Sequence, residues 1–250
     1  MTFHNNLHPP KAKKLSLCGE QKLFGNVFVS VSFPLCNFVA MQFKDEKEER
    51  IIRESATIFK RFGIKSVNMD DLATKLGVSK KTLYKYVSDK DELVHRVFEY
   101  HAMQEDCEIQ QITARNLNAI DESYEIMRMV LNMVRDLHPS VLYDMKKYHP
   151  EIMHKMQCTR DTIIATTLRM NMEKGMHEGY YRDDIRPEFI ASLYVSAVES
   201  ILEMLAGNDA TASFKDLYLE LFRYHIRGIA SEKGIAYLIE KVKQERQTNS

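Results

Sequence analysis

Residues 51–97 read IIRESATIFKRFGIKSVNMDDLATKLGVSKKTLYKYVSDKDELVHRV, and their punctuation decides the fold. From Glu46, Ile52, Ala56, Phe59 and Gly63 recur at spacings of 4, 3 and 4. That is one apolar stripe of an amphipathic helix, with Glu48, Arg53 and Lys60 left for solvent. Gly63 is a natural residue to end it. Asn68 then caps a second helix, and Asp70 and Asp71 complement its N-terminal dipole. This short helix runs through Leu72, Ala73 and Leu76 to Gly77. Ser79 caps a third helix, KKTLYKYV, whose Leu83 and Val87 pack inward with Leu72, Leu76 and Val78, and Ser88 caps a fourth that continues to about Ala114. Two short helices joined by a turn containing Gly are a helix-turn-helix.

Charge gives this unit a direction. The 250 residues carry 35 Lys and Arg against 35 Asp and Glu, a neutrality that by itself argues against binding nucleic acid. It is a cancellation: residues 1–43 carry +3, residues 44–100 carry +2 and residues 101–250 carry −5. Between Lys75 and Lys90 stand five Lys and a single acid, Asp89. Lys and Tyr on one face of a recognition helix donate to phosphate oxygens and base edges. A solvated basic face on a small structural helix is the bland alternative, and the helix-turn-helix setting weighs against it.

With these residues in view, the stretch from Ile51 to Val97 resembles the DNA-binding domain of the TetR-type (tetracycline-repressor-like) transcriptional regulators. The shared features are an aromatic-Gly end to the first helix, D-L-A in the second, G-V-S in the turn, T-L-Y-x-Y-V in the third and K-D-E-L opening the fourth. The resemblance implies that Lys80, Lys81, Thr82 and Tyr84 face the major groove, with Lys85 on the same basic helix. It implies that Tyr86 and Lys90 hold phosphates and that Asn68 lies near the DNA backbone. Lys81 departs from the Gly or Pro common at its position, so base preference does not carry over.

Residues 101–250 read as more helices, at 120–137, 140–147, 150–178, 187–206 and 213–231, with a tail from 234. Nine Gly and six Pro in 250 residues favour such an all-α chain, and Pro150 and Pro187 suit first helical turns. The expected organisation is an extension at 1–43, a DNA-binding domain at 44–100, and a ligand-binding and dimerisation domain at 101–250. Within 188–205, 12 of 18 residues are apolar and form two stripes: Ile190, Leu193, Ala197, Ile201 and Met204, then Ala191, Val195, Val198, Leu202 and Leu205. A helix apolar on two sides is covered on two sides. Central helices of a monomeric core would satisfy this too. The resemblance instead implies a four-helix interface with a second subunit, and Ala191, Val195, Val198, Leu202, Leu217 and Leu221 are its expected residues.

Eleven of the 14 Met lie beyond residue 100. Flexible thioethers suit adaptable apolar pockets and are also ordinary core filler. A small-molecule cavity is expected among helices 120–137, 140–147 and 150–178, with Met129, Met133, Tyr143, Tyr148, His149, Arg169 and Met172 as its contacts.

Other function classes find less support. Cys18, Cys36, Cys107 and Cys158 have no C-x-x-C spacing, so no metal finger or disulfide framework is expected and a reduced cytoplasmic setting is. Glu92-x-x-His95 and Glu151-x-x-His154 have the spacing of di-iron bundles, but such sites need two further inward Glu. No phosphate-cradling or nucleophile-elbow motif appears, and no cofactor is expected. The uncharged run Leu23–Phe43 is interrupted by Gly25, Asn26, Ser30, Ser32, Pro34 and Asn37, which suits neither a membrane anchor nor an export signal. The preferred reading starts translation at Met41, leaving 210 residues of net charge −3. The sequence thus predicts an all-α, homodimeric, ligand-responsive repressor of operator DNA; a helix-turn-helix interaction module without operator binding is the runner-up.

Overall fold

The computed structural model describes residues 43–135, 137–138, 140–206 and 213–248. The expectations for residues 1–42, including a start at Met41, lie outside the described residues. Among the described residues ten helices follow one another: α1 Glu46–Phe62, α2 Met69–Lys75, α3 Lys80–Tyr84, α4 Lys90–Ala114, α5 Ala119–Arg135, α6 Ser140–Tyr148, α7 Pro150–His177, α8 Pro187–Ala206, α9 Phe214–Ile229 and α10 Glu232–Thr248. The fold is all-α; an isolated antiparallel bridge between Tyr181 and Ala230 is the sole strand-like pairing among the described residues. No described helix is long and apolar enough to cross a membrane.

Local chemistry sets the helix ends. The Asn68 side chain accepts from the backbone N–H groups of Asp70 and Asp71, both at 2.9 Å, and Asp71 returns the bond to the Asn68 N–H at 3.1 Å. This capping box satisfies donors that the first turn leaves unpaired. Ser79 Oγ accepts from the Thr82 N–H at 3.1 Å and starts α3. α4 begins one residue later than expected: Asp89 caps it by accepting from the Glu92 N–H at 2.8 Å, while the Ser88 N–H donates to Glu92 Oε2 at 2.6 Å. α3 is also shorter than the KKTLYKYV run, because the Tyr86 and Val87 N–H groups both turn back to the Leu83 carbonyl.

Two apolar clusters organise the chain. In the first, Ile52, Phe59, Leu72, Leu83 and Val94 of the N-terminal helices and Val87 between α3 and α4 pack with Val141 and Met145 of α6. In the second, Ile120, Met172, Tyr194, Val198, Phe222 and Ile229 join α5 and α7 to α8 and α9. The expected boundary at residue 100 falls inside α4, which runs unbroken from one cluster towards the other. Glu48 corrects the solvent assignment: it is fully buried and ion-paired with Arg96 of α4, a partner that α1 periodicity does not reveal.

Among the described residues, close approach demands glycine at Gly63, Gly175 and Gly234. Gly63 has φ of 81°, and a Cβ there would lie 2.5 Å from Ser140 Oγ at the start of α6. A Cβ on Gly175 of α7 would lie 2.1 Å from the Tyr181 ring, which is buried and tied by its hydroxyl to the Ala119 carbonyl at 3.1 Å and to Asn171 Oδ1 at 3.0 Å.

Candidate nucleic-acid interface and the cavity behind it

The helix-turn-helix presents its basic side chains as the sequence suggests, with two exceptions. Lys80, Lys81, Tyr84 and Lys85 are exposed, and Thr82 is half-buried with its hydroxyl 2.8 Å from Ser79 Oγ. Lys80 is held by Asp70, 2.8 Å from Oδ1, and this bond raises its pKa above the ordinary lysine value. A phosphate would have to displace Asp70 there. Asn68 is exposed at the start of α2 with its side-chain oxygen committed to the capping box.

Tyr86 and Lys90 are the exceptions. Three residues after Leu83 on the same face, Tyr86 turns into the core, is only 4% exposed and donates its hydroxyl to Asp45 Oδ2 at 2.9 Å. Lys90 Nζ reaches back to the Ile64 carbonyl at 2.6 Å, and burial lowers its pKa. Neither group is turned outward to hold a phosphate. Both partners lie far away in sequence, so no local pattern announces them.

Behind this surface lies a cavity of about 290 Å³, small for a ligand site and mostly apolar. Its wall comes from α4, α5, α7, α8 and α9, and also from Ala56, Phe59 and Lys60 of α1 and Val141, Leu142 and Met145 of α6. Of the seven expected contacts, Met129 and Met133 line it. The other five do not. Tyr143 and Tyr148 are exposed and bonded to Lys147 at 2.9 Å and Lys65 at 2.6 Å, because α6 turns Val141 and Met145 inward instead. His149 is buried at the start of α7, its Nδ1 3.2 Å from Asp91 Oδ1, and burial lowers its pKa. Arg169 is exposed beside Glu173 at 4.0 Å, and Met172 is fully buried in the second cluster.

Polar groups that periodicity did not single out also line the wall, His101 and Glu105 of α4, Arg160 of α7 and His225 of α9, beside Tyr218 on the apolar face of α9. Burial pushes the His225 pKa down to about 4, so its imidazole is neutral near pH 7. An acid or base on an otherwise apolar stripe was the available signal. Glu105 shares such a stripe with Phe98, Ala102 and Ile109.

The same signal marks Asp144, three residues from Val141 and next to Met145. Its Oδ2 accepts from the backbone N–H groups of Ile64 at 3.1 Å and Lys65 at 2.9 Å, in the connection between α1 and α2. The Ser140 hydroxyl adds a third bond at 3.3 Å, and the His138 N–H donates to the Lys60 carbonyl at 2.7 Å. α6 therefore touches the cavity with one part of its buried face and grips the helix-turn-helix with another.

The residues expected at the subunit interface fall in different environments. Ala191 and Val198 are buried within the single chain, and Val198 and Leu202 line the cavity. Of the other stripe of α8, Ile201 is buried, while Leu193 and Met204 are left outward, 69% and 53% exposed, with Phe189 at 57% and Tyr224 on α9 at 82%. Val195, Leu217 and Leu221 are half-buried beside that face.

Residues 51–97 match the family of bacterial regulatory proteins described as the tetR family. The chain is similar to YvaF of Bacillus subtilis, an HTH-type transcriptional regulator, with 26% identity over 157 residues covering 62% of this chain and 81% of that protein. Its fold is similar to that of a transcriptional regulator from Cytophaga hutchinsonii, with a TM-score of 0.61 and 16% identity over 75% of this chain and all of the other. A Saccharomonospora viridis protein described as a transcriptional regulator and solved in complex with choline gives a TM-score of 0.60 and 17% identity, covering 75% of this chain and 99% of its own.

Proposed function

We propose that this chain, whose residues 51–97 match the tetR family of bacterial regulatory proteins, is a homodimeric repressor of a palindromic operator, released when a small molecule fills the cavity. The observation that carries this reading is the mixed parentage of the cavity wall. Ala56, Phe59 and Lys60 belong to the first helix of the DNA-binding unit, while Val198, Tyr218 and Phe222 belong to the C-terminal helices. A ligand between them acts on both. Repacking around Val141 and Met145 would move Asp144, and with it the backbone of Ile64 and Lys65. Such a switch works only if the ligand binds the DNA-competent and DNA-incompetent states with different affinity.

On the DNA side, Lys81, Tyr84 and Lys85 supply the free donors, Lys80 joins them by leaving Asp70, and Thr82 points from the same helix. The exposed faces of α8 and α9 support a twofold interface, which would set two recognition helices about 34 Å apart on successive major grooves. Operator binding places the working protein in the cytoplasm.

A gel shift on DNA flanking its own coding region tests the core of the proposal. Affinity should fall steeply with salt, and Lys81→Ala or Lys85→Ala should each reduce the slope of log K against log salt by about 0.9. A flat salt dependence would refute operator binding through this helix.

A further inference from the structure

The end of the cavity bounded by α4, α7 and α8 holds more negative charge than it neutralises. Glu105 lines the wall and makes no hydrogen bond or ion pair among the described residues. Its electrostatic neighbours are Glu108 and Asp106, which repel it, and Arg160, which attracts it. Arg160 is already shared: its guanidinium lies 3.2 Å from Asp161 Oδ1, and Asp161 is itself hydrogen-bonded to Glu199 of α8. A hydrogen bond between two carboxyl groups needs a proton, which Glu199 supplies, so one guanidinium serves two carboxylates, those of Glu105 and Asp161. Burial, with repulsion from Glu108 and Asp106, pushes the Glu105 pKa up, as expected where a counter-charge is missing.

Next to this charge stands an aromatic wall. Phe214 and Tyr218 stack with ring centroids 5.2 Å apart, and Tyr194 meets His225 edge-on at 4.8 Å. The Tyr218 hydroxyl feels the Glu105 charge, which places ring and carboxylate at the same end of the cavity. The Tyr194 and Tyr218 hydroxyls are engaged with each other, so ring faces and edges remain for a ligand. Aromatic faces beside a desolvated carboxylate attract organic cations. An anionic ligand would have to take Arg160 from Asp161 and approach Glu105 as a like charge. The Arg160 Nε–H, buried without an acceptor, is covered by protein and offers no open donor.

We propose that the cavity takes an organic cation, an amine or quaternary ammonium on an apolar body, with Glu105 as its counter-charge. This rests on the reading of the cavity as the effector site. The test uses three ligands of one chain length on the full chain: decyltrimethylammonium, decanoate and decanol, titrated by calorimetry at pH 7.5. Decyltrimethylammonium should bind at least about tenfold tighter than either of the others, and Glu105→Gln should remove about that factor while leaving decanol unchanged. Decanoate or decanol binding as tightly as the cation, no binding of the cation, or indifference to Glu105→Gln would overturn the proposal. If the variant does not fold, the three-ligand comparison on the unaltered protein decides. Repeating the gel shift with each ligand separates the two readings. Release of DNA by decanoate alone would leave the regulator standing without the cation, and a Glu105-dependent cation that leaves DNA bound would do the reverse.

Discussion

Replacing Asp144 by Asn should loosen the connection between α1 and α2 while leaving the volume of α6 unchanged. One carboxylate oxygen now holds two backbone donors, Ile64 N–H at 3.1 Å and Lys65 N–H at 2.9 Å. A hydrogen bond to a charged partner contributes about 1.5–3 kcal/mol, against about 0.5–1.5 kcal/mol for a neutral one. An amide oxygen that keeps both donors therefore weakens the grip by about 2 kcal/mol. Lys90, which feels the Asp144 charge and is partly buried, pushes the cost in the same direction. Because about 1.4 kcal/mol is a factor of ten, amide hydrogen exchange in the peptide spanning Ile64 and Lys65 should quicken roughly 30-fold in Asp144→Asn. Asp144→Ala strands the buried Ile64 N–H and adds about 1–3 kcal/mol. Mass-spectrometric exchange of the intact protein reads both variants, with a peptide from α10 as the internal reference. If Asp144→Asn exchanges at Ile64 and Lys65 within about threefold of the unaltered protein, the carboxylate does not hold this turn, and the route from cavity to DNA surface fails with it.

Other outcomes follow from the same geometry. Gly175→Ala drives a methyl group against the buried Tyr181 ring and should cost about 1–3 kcal/mol in urea unfolding; unchanged stability would mean that the ring gives way easily. His225, at about 4 when folded against about 6.5 unfolded, binds fewer protons in the native state between those values. Stability should therefore be fully present above pH 6.5 and decline by on the order of 3 kcal/mol as pH falls to 4, with His225→Phe flattening that part of the urea-midpoint profile. Leu193→Glu together with Tyr224→Glu should give a folded monomer by sedimentation and circular dichroism, whereas a monomeric unaltered protein at about 10 µM, far above the Kd of a stable dimer, would remove the proposed interface.

Much of this was legible because it is local. The capping groups Asn68 and Ser79 and the prolines opening α7 and α8 act within one turn of themselves, so the sequence alone places those helix starts correctly. The inward bonds of Tyr86 and Lys90 are not legible in the sequence because their partners, Asp45 and the Ile64 carbonyl, are 41 and 26 residues away. The two stripes of α8 are equivalent to any periodicity argument. Only packing against α9 and the cavity shows that Ala191 and Val198 face inward while Leu193 faces out. In α6 the aromatic residues drew attention and the acid did not, although Asp144 lies on the stripe of Val141 and Met145. A lone carboxylate among buried positions must find donors, and here it found them in another helix's loop.

Val141 and Met145 belong to the apolar core of the helix-turn-helix unit although nearly half a hundred residues of chain separate them from Val97. The DNA-reading head is therefore not a transplantable module. Grafting residues 44–100 onto a relative's C-terminal half would give the head a foreign α6, with different side chains against Ala56 and Phe59 and no assurance of an acid at the Asp144 position. Recombination in nature or in the laboratory should succeed only when α6 travels with the head, or when both parents already agree at its buried face.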